Sequence, residues 1–384
     1  MKQISINTLL LSVIFVLSIS LPMSISFFSE NASVSQTEKR ALAQFPEIRL
    51  SPALLQEFPA AFDSYIEDHF GFRERIVRTH NYLLVSLFGV SPSAFVIVGS
   101  NDWYFFNADG SINDYLGSMK IGSRRLENIY YLLQDRTFWL NSIGSQYLFL
   151  PVPNKEMIYD EYLPAQIRQH KGESNYERVL GYLEEKQHFQ GYIDLKQVML
   201  KAKDEGLLYL RTDSHWNHDG TFLAYREIIS KMRFWYPDMI ALEKSPERKT
   251  IYNFSGDLSI LMNLRGLITE DAPDVVVDTT CEARQLKRMD SIRTIPKYRD
   301  LETHRLPVEG GCETRKYTAV VLHDSFGRFL EPYLSQQFAR VIYINFLNFE
   351  DAKEIIERER PDIVIDQRVA RNLLKAVRPD NELQ

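Results

Sequence analysis

Cysteine is nearly missing from this chain: Cys281 and Cys312 are the only two in 384 residues. Neither their number nor their spacing makes a thiolate metal site. What remains open to them is one disulfide, closing the stretch between them in an oxidising compartment. A basic balance is missing too. Lys and Arg number 45 against 51 Asp and Glu, a net charge of −6, which excludes a general nucleic-acid binder. Internal repeats and low-complexity segments are absent, so a solenoid or a disordered tail is not expected. Long apolar runs are also absent, with one exception at Thr8–Phe28. The chain therefore crosses a bilayer once at most.

That exception sets the compartment. Lys2 precedes the run and no charge interrupts it. Residues 1–29 read as a secretory signal or a signal anchor. Ser24 and Ser26 form a small-x-small pair that a signal peptidase could read, after the helix-breaking Pro22, whereas the length of the run favours an anchor. Either way the rest of the chain is exported. Residues 30–59 are polar, broken by Pro46, Pro52 and Pro59, and read as a membrane-proximal linker. Residues 60–384 read as one domain, and the 45% hydrophobic content of the whole chain marks it as globular.

Within that domain Ala60–Phe88 has helical spacing, interrupted at Gly71, and Val96–Phe106 reads as a hairpin. From Ser123 helix and strand patterns alternate. Residues 243–312 are less regular, hold the basic run Arg284–Arg299, and read as an insertion over or beside the sheet. The basic run reads as a solvated surface loop or a contact strip for an anionic polymer. Repeated strand–helix units predict an α/β fold with a mostly parallel sheet covered by helices on both faces. Ligands of such sheets sit beyond the carboxyl ends of the strands.

Three stretches end strands at that edge. Tyr317–Gly327, YTAVVLHDSFG, runs from β-branched residues into a turn that carries Ser325. Arg211–Asn217, RTDSHWN, carries Asp213 and His215 two apart, so both side chains of an extended segment share a side. Val152–Lys155 ends in Asn154 and Lys155. A serine hydroxyl needs a base within hydrogen-bond reach, and the base needs a partner that fixes its tautomer. Ser325 is the candidate nucleophile, His215 its base and Asp213 the orienting carboxylate. The oxyanion falls to the backbone N–H of Ser325 or its successor, with the Asn154 amide as a second donor. Lys155 is a candidate partner of Asn154 in the site loop, or a surface charge. Trp216 either walls the pocket or is core. His218 and Asp219 read as helix-start residues, and His323 as a packing or hydrogen-bonding residue.

With EKRALAQFP at Glu38–Pro46, VPNKEMIYDEYLP at Val152–Pro164, RTDSHWNHDG at Arg211–Gly220 and HDSFGRFL at His323–Leu330, the chain resembles the SGNH-hydrolase-like polysaccharide O-acetyltransferases of the alginate acetylation machinery, the AlgJ/AlgX type. The resemblance implies a circularly permuted SGNH-hydrolase-like (flavodoxin-like) fold, with Asp-x-His before the serine. It assigns Ser325, His215 and Asp213 the triad roles. It also implies a periplasmic protein at the inner membrane of a Gram-negative bacterium, working on exported polysaccharide beside a membrane-bound O-acyltransferase that supplies acetyl groups. No bound cofactor, no metal and no nucleic acid is expected. His323 stands where enzymes with a Gly-Asp-Ser motif carry glycine. The expected function is O-acetyl transfer through acetyl-Ser325. The alternatives are an acetylesterase using the same residues and a non-catalytic scaffold of the acetylation complex.

Overall fold

The computed structural model describes residues 6–28, 33–35, 40–47, 52–242, 247–276, 284–345 and 348–376. The chain divides into two units, Met1–Pro92 with Met262–Leu267, and Ser93–Leu261 with Ile268–Gln384.

The first unit is helical. Helix α1 (Ile6–Phe28) covers the apolar run. Its side chains are described without interruption only over residues 6–18, and among the described residues no helix is long and apolar enough to cross a membrane. Helix α2 (Pro52–His69) starts inside the stretch expected as linker. Its first residue is a proline, whose missing N–H the first turn does not use. The break comes at Gly71, as the spacing predicts. Phe72 then takes a left-handed backbone (φ 62) before α3 (Arg73–Phe88). Two side chains of α3 hold residues 262–267: Asn81 Nδ2 donates to the Met262 carbonyl at 3.0 Å, and Arg78 to that of Arg265.

The second unit is built on a six-stranded sheet. Its strands in chain order are β1 (Gln146–Val152), β2 (Arg284–Arg288), β3 (Val308–Gly311), β4 (Thr318–Leu322), β5 (Arg340–Ile344) and β6 (Ile363–Val369). In space they lie β1-β6-β4-β5-β3-β2. The four strands β1, β6, β4 and β5 are parallel. β3 runs antiparallel to β5, and β2 antiparallel to β3. The sheet is therefore mixed, where the alternating pattern predicts a mostly parallel one. The difference comes from the 243–312 segment. Part of the basic run forms the edge strand β2 instead of a loop, and its Arg284, Lys287 and Arg288 charges suit an exposed edge.

Burial explains why β4 reads as a continuous apolar run. It is central, and both its faces are covered. Ala319 and Val321 pack in one apolar core; Val320 and Leu322 pack in the other. The alternation follows from the two-residue period of a strand. Helices α4 (Ser123–Ser142), α5 (Asn175–Lys186) and α8 (Phe349–Glu359) contribute to the second core, and α6 (Leu195–Ala202) and α7 (His218–Met232) to the first. A short hairpin, Val96–Val98 with Tyr104–Phe106, forms where expected. A second hairpin, Glu247–Phe254 with Glu270–Val276, lies in the segment expected to be irregular. The chain leaves β4 through a 3-10 turn (Ser325–Leu330) followed by a single α turn (Glu331–Leu334).

Candidate active site

The turn after β4 is fixed by the residue before the serine. Asp324 caps it: Oδ1 accepts from the Phe326 N–H (3.1 Å) and from Gln367 Nε2 (3.2 Å). Its Oδ2 accepts from the Val369 N–H at 2.7 Å. The Asp of D-S-F thus ties the turn to the end of the neighbouring strand β6. Ser325 is left exposed beside Phe326 and Gly327, which are buried.

His323 takes no part in that opening. It is buried, and its Nδ1–H donates to the Asp324 carbonyl at 2.7 Å. A Cβ on Gly327 would lie 2.3 Å from His323 Cβ. Position 327 therefore requires glycine, because the backbone there closes over the imidazole. Burial pulls His323 from its ordinary 6.5 down to about 4, against the hydrogen bond to Asp324. The unfolded ring takes a proton near pH 6.5 and the buried ring only near 4. Between these values the unfolded state holds more protons, so stability falls as pH drops through that window, by about 3 kcal/mol in all. His323→Asn keeps a donor for the Asp324 carbonyl and removes this titration. Its denaturation midpoint should fall less than that of the wild type between pH 6.5 and 4; parallel curves would refute the assignment.

The second stretch meets the first across 110 residues of sequence. His215 Nε2 lies 2.8 Å from Ser325 Oγ. His215 Nδ1 lies 2.6 Å from Asp213 Oδ1, which also accepts the His215 N–H at 3.0 Å. Burial alone would raise the Asp213 carboxyl. The His215 hydrogen bond and charge, with the N–H groups of Asp257 and His215, outweigh it and hold the group at about 2. Asp213 is therefore ionised, which directs the Nδ1 proton of His215 toward it and leaves Nε2 free to accept from the serine.

Trp216 is wholly buried, and its Nε1–H donates to the Phe326 carbonyl at 3.0 Å. This is its core reading: with no exposed surface it walls no open pocket, and it pins the two stretches together. His218 starts α7, which Asn217 caps by accepting from the N–H groups of Asp219 and Gly220.

Lys155 is neither a surface charge nor a spare donor for substrate. Its buried Nζ donates to the carbonyls of Leu210 (3.0 Å), Arg211 (3.1 Å) and Asp213 (2.7 Å). An ammonium has three protons, and all three are committed. Burial lowers it to about 8, against the attraction of Asp213, Asp257 and Glu270. Asn154 is fully buried. Its Oδ1 accepts from the Arg371 N–H at 3.4 Å, while its Nδ2 has no hydrogen-bond partner among the described residues. The Phe326 N–H, expected as an oxyanion donor, is taken by Asp324.

The sequence reading missed three contributors. Glu270 accepts from the N–H groups of Arg211 (2.9 Å) and Thr212 (2.7 Å) and from the Thr212 hydroxyl (2.6 Å). Asp257 accepts from the Ser214 N–H and hydroxyl. Arg371 places its guanidinium over the Phe326 ring at 5.2 Å. Glu270 and Asp257 belong to the segment expected as an insertion, and no motif near them marks the role. Among the described residues, Asp213, His215 and Asp257 are the one group whose donor atoms, all within 4.8 Å, could hold a metal ion. Those atoms are already spent on hydrogen bonds to one another and to Ser214. Cys312 is buried and disulfide-bonded. Cys281, its expected partner, lies outside the described residues.

Comparison with known proteins finds similar structures and one matching family. The chain is similar in structure to PatB1 of Bacillus cereus, solved with a sulfonyl adduct, at a TM-score of 0.52 and 17% identity, covering 72% of this chain and 97% of that one. It is also similar to the O-acetyltransferase domain of Pseudomonas putida AlgJ (TM-score 0.45, 16% identity, 72% and 91% covered). A third similar structure is Pseudomonas aeruginosa AlgX (0.41, 11%, 71% and 61%). The likeness to PatB1 is one of fold. No curated protein sequence matches the chain. The family model for the SGNH hydrolase-like domain of the acetyltransferase AlgX matches residues 96–292, a stretch that holds Asn154, Asp213, His215, Asp257 and Glu270 and stops short of Ser325. Covering more than half of the sequence, that match makes the chain a member of the AlgX family of SGNH hydrolase-like acetyltransferase domains.

Proposed function

We propose that this protein is a serine-dependent O-acetyltransferase that acetylates an exported polysaccharide through an acetyl-Ser325 intermediate. The observation that carries the reading is the continuous chain Asp213–His215–Ser325, with contacts of 2.6 Å and 2.8 Å. His215 Nε2 takes the Ser325 proton as Oγ attacks the acetyl carbonyl of the donor. The bond from acetyl to donor breaks, and His215 returns the proton to the leaving group. A sugar hydroxyl then gives its proton to His215 and attacks the acetyl-serine, which restores the free hydroxyl. In this reading the Ser325 N–H is the oxyanion donor, and the Asn154 amide, wholly buried as the chain stands, would serve only if the turn opens to it.

Membership of an acetyltransferase family supports transfer over hydrolysis. In the same proposal the polymer is alginate-like, the protein is periplasmic, and residues 1–29 hold it at the inner membrane. The acetyl donor is a membrane-bound O-acyltransferase of the same complex, and residues 60–384 form the catalytic domain. The acid balance of −6 does not by itself favour a polyanion as substrate.

The test is chemical. Incubation with an activated acetyl ester, followed by acid quench and mass analysis, should add about 42 Da (an acetyl group in place of one hydrogen) to the peptide that holds Ser325. A sulfonyl fluoride, the reagent class implied by the PatB1 adduct, should label the same residue and block acetylation. Labelling elsewhere, or none on folded protein, would overturn the assignment.

A further inference from the structure

We propose that Asp257 is a positioning residue of this site: a second carboxylate that clamps the Asp213–His215 segment and shares in balancing the charge on His215 during acyl transfer. The inference rests on the reading of Ser325 as the nucleophile.

The geometry is specific at each atom. Asp257 Oδ1 accepts the Ser214 N–H at 2.7 Å, and its Oδ2 accepts the Ser214 hydroxyl at 2.6 Å. Ser214 is the residue between the orienting carboxylate and the base. The Asp257 N–H donates to Asp213 Oδ2 at 2.9 Å. Each oxygen of Asp213 is then occupied: Oδ1 by His215, Oδ2 by Asp257. The same Asp257 Oδ2 lies 3.7 Å from His215 Nδ1, so two carboxylates face one edge of the imidazole.

The backbone around Asp257 is built to hold this approach. Leu258 N–H donates to the Thr212 carbonyl at 3.1 Å, and Gly256 N–H to the Thr212 hydroxyl at 3.2 Å. A Cβ at Gly256 would lie 2.3 Å from that carbonyl oxygen and 2.6 Å from Asp213 Cβ. Only glycine lets the two segments come this close.

The charges around the pair are Asp213 on the same segment as His215, Lys155 beneath it on the turn after β1, and Glu270 and Arg211 at its far end. Arg371 and His215 each lie against the Phe326 ring, at 5.2 Å and 4.8 Å. Lys155 is the one buried cation in that set, and its protons are held by carbonyls. The positive charge that His215 acquires as it takes the serine proton is therefore met by Asp213 directly and by Asp257 at 3.7 Å. Burial and the neighbouring Asp213 charge raise the Asp257 carboxyl above its ordinary range, which is the cost of holding two carboxylates together.

Asp257→Asn separates clamp from charge, because the amide oxygen can still accept the Ser214 N–H. Turnover of p-nitrophenyl acetate by purified protein is followed from pH 5 to 9, a range of about two units either side of neutrality that brackets an imidazole. Removing a charge at this distance, with one side open to solvent, should move the acid limb down by up to about one pH unit and lower the plateau rate about 5- to 20-fold. An unmoved limb with an unchanged plateau overturns the inference, as does a lower rate with the limb in place, which marks a purely structural role. Ser325→Ala run beside it separates the two readings. If Ser325→Ala matches the wild type, the nucleophile assignment fails; if it is inactive while Asp257→Asn keeps its limb, only the role of Asp257 fails. Should Asp257→Asn not fold, Asp257→Ser, also neutral and still an acceptor, is read against the same limb.

Discussion

Ser325→Ala protein, folded and exported, should leave the secreted polysaccharide without O-acetyl groups in a strain that lacks the native copy. With the purified protein, hydrolysis of an aryl acetate should fall at least about 10³-fold, the loss expected when a nucleophile held by a hydrogen-bonded base is removed. His215→Ala should cost nearly as much, and the double variant little more than either single one, because the two residues act as a unit. Ser325 is exposed and its replacement deletes one oxygen, so unfolding does not explain the loss. The polymer readout decides between the three functional readings. Full acetylation restored by Ser325→Ala would end the catalytic reading and leave the scaffold. Loss of acetylation with the variant supports transfer. A polymer that becomes more acetylated would identify an esterase, because the direction of flow across acetyl-Ser325 would then be removal.

The residues that meet in this site were legible in sequence to different degrees, for physical reasons. Ser325 stood out because it follows a buried strand, and Asp213 and His215 because their spacing of two sets an orienter beside a base; the residues before that pair form no strand, only an isolated bridge between Tyr209 and Trp216. The strand β4 was legible because both its faces are buried, which leaves an unbroken apolar run. The mixed edge was not. Strands β2 and β3 are short and charged or glycine-rich; β3 takes its place by pairing with β5 and β2 by pairing with β3, which no local pattern encodes. The same holds for Asp257 and Glu270. Each acts through backbone N–H groups of residues 211–214, and an acceptor for a backbone donor carries no sequence signature. His323 was visible as a departure from glycine. That it packs against Gly327, four residues on, required the distance between them.

Lys155→Met should be the most destabilising single change in the neighbourhood of the site. The side chain is 2% exposed and nearly isosteric with methionine, so little packing is lost; what is lost is charge and three donors. Three carbonyls, of Leu210, Arg211 and Asp213, would be left without their ammonium, and three carboxylates, Asp213, Asp257 and Glu270, without the cation whose charge they attract. Breaking a buried charged cluster from one side costs about 3–5 kcal/mol. For a domain of this size that lowers the melting midpoint by roughly 10 °C. Lys155→Arg should not rescue it, since a planar fork does not fit a site shaped for three divergent protons. The segment from Leu210 to His215 has its carbonyls on Lys155 and its N–H groups on Glu270 and Asp257. Loosening one side lets His215 drift from Ser325, and a misplacement of about 1 Å costs about 100-fold in rate. Lys155→Met should therefore lose activity at temperatures where it is still folded. If its midpoint stayed within about 1 °C of the wild type, a shift worth less than 0.5 kcal/mol, the ammonium would be dispensable and the segment held by the two carboxylates alone.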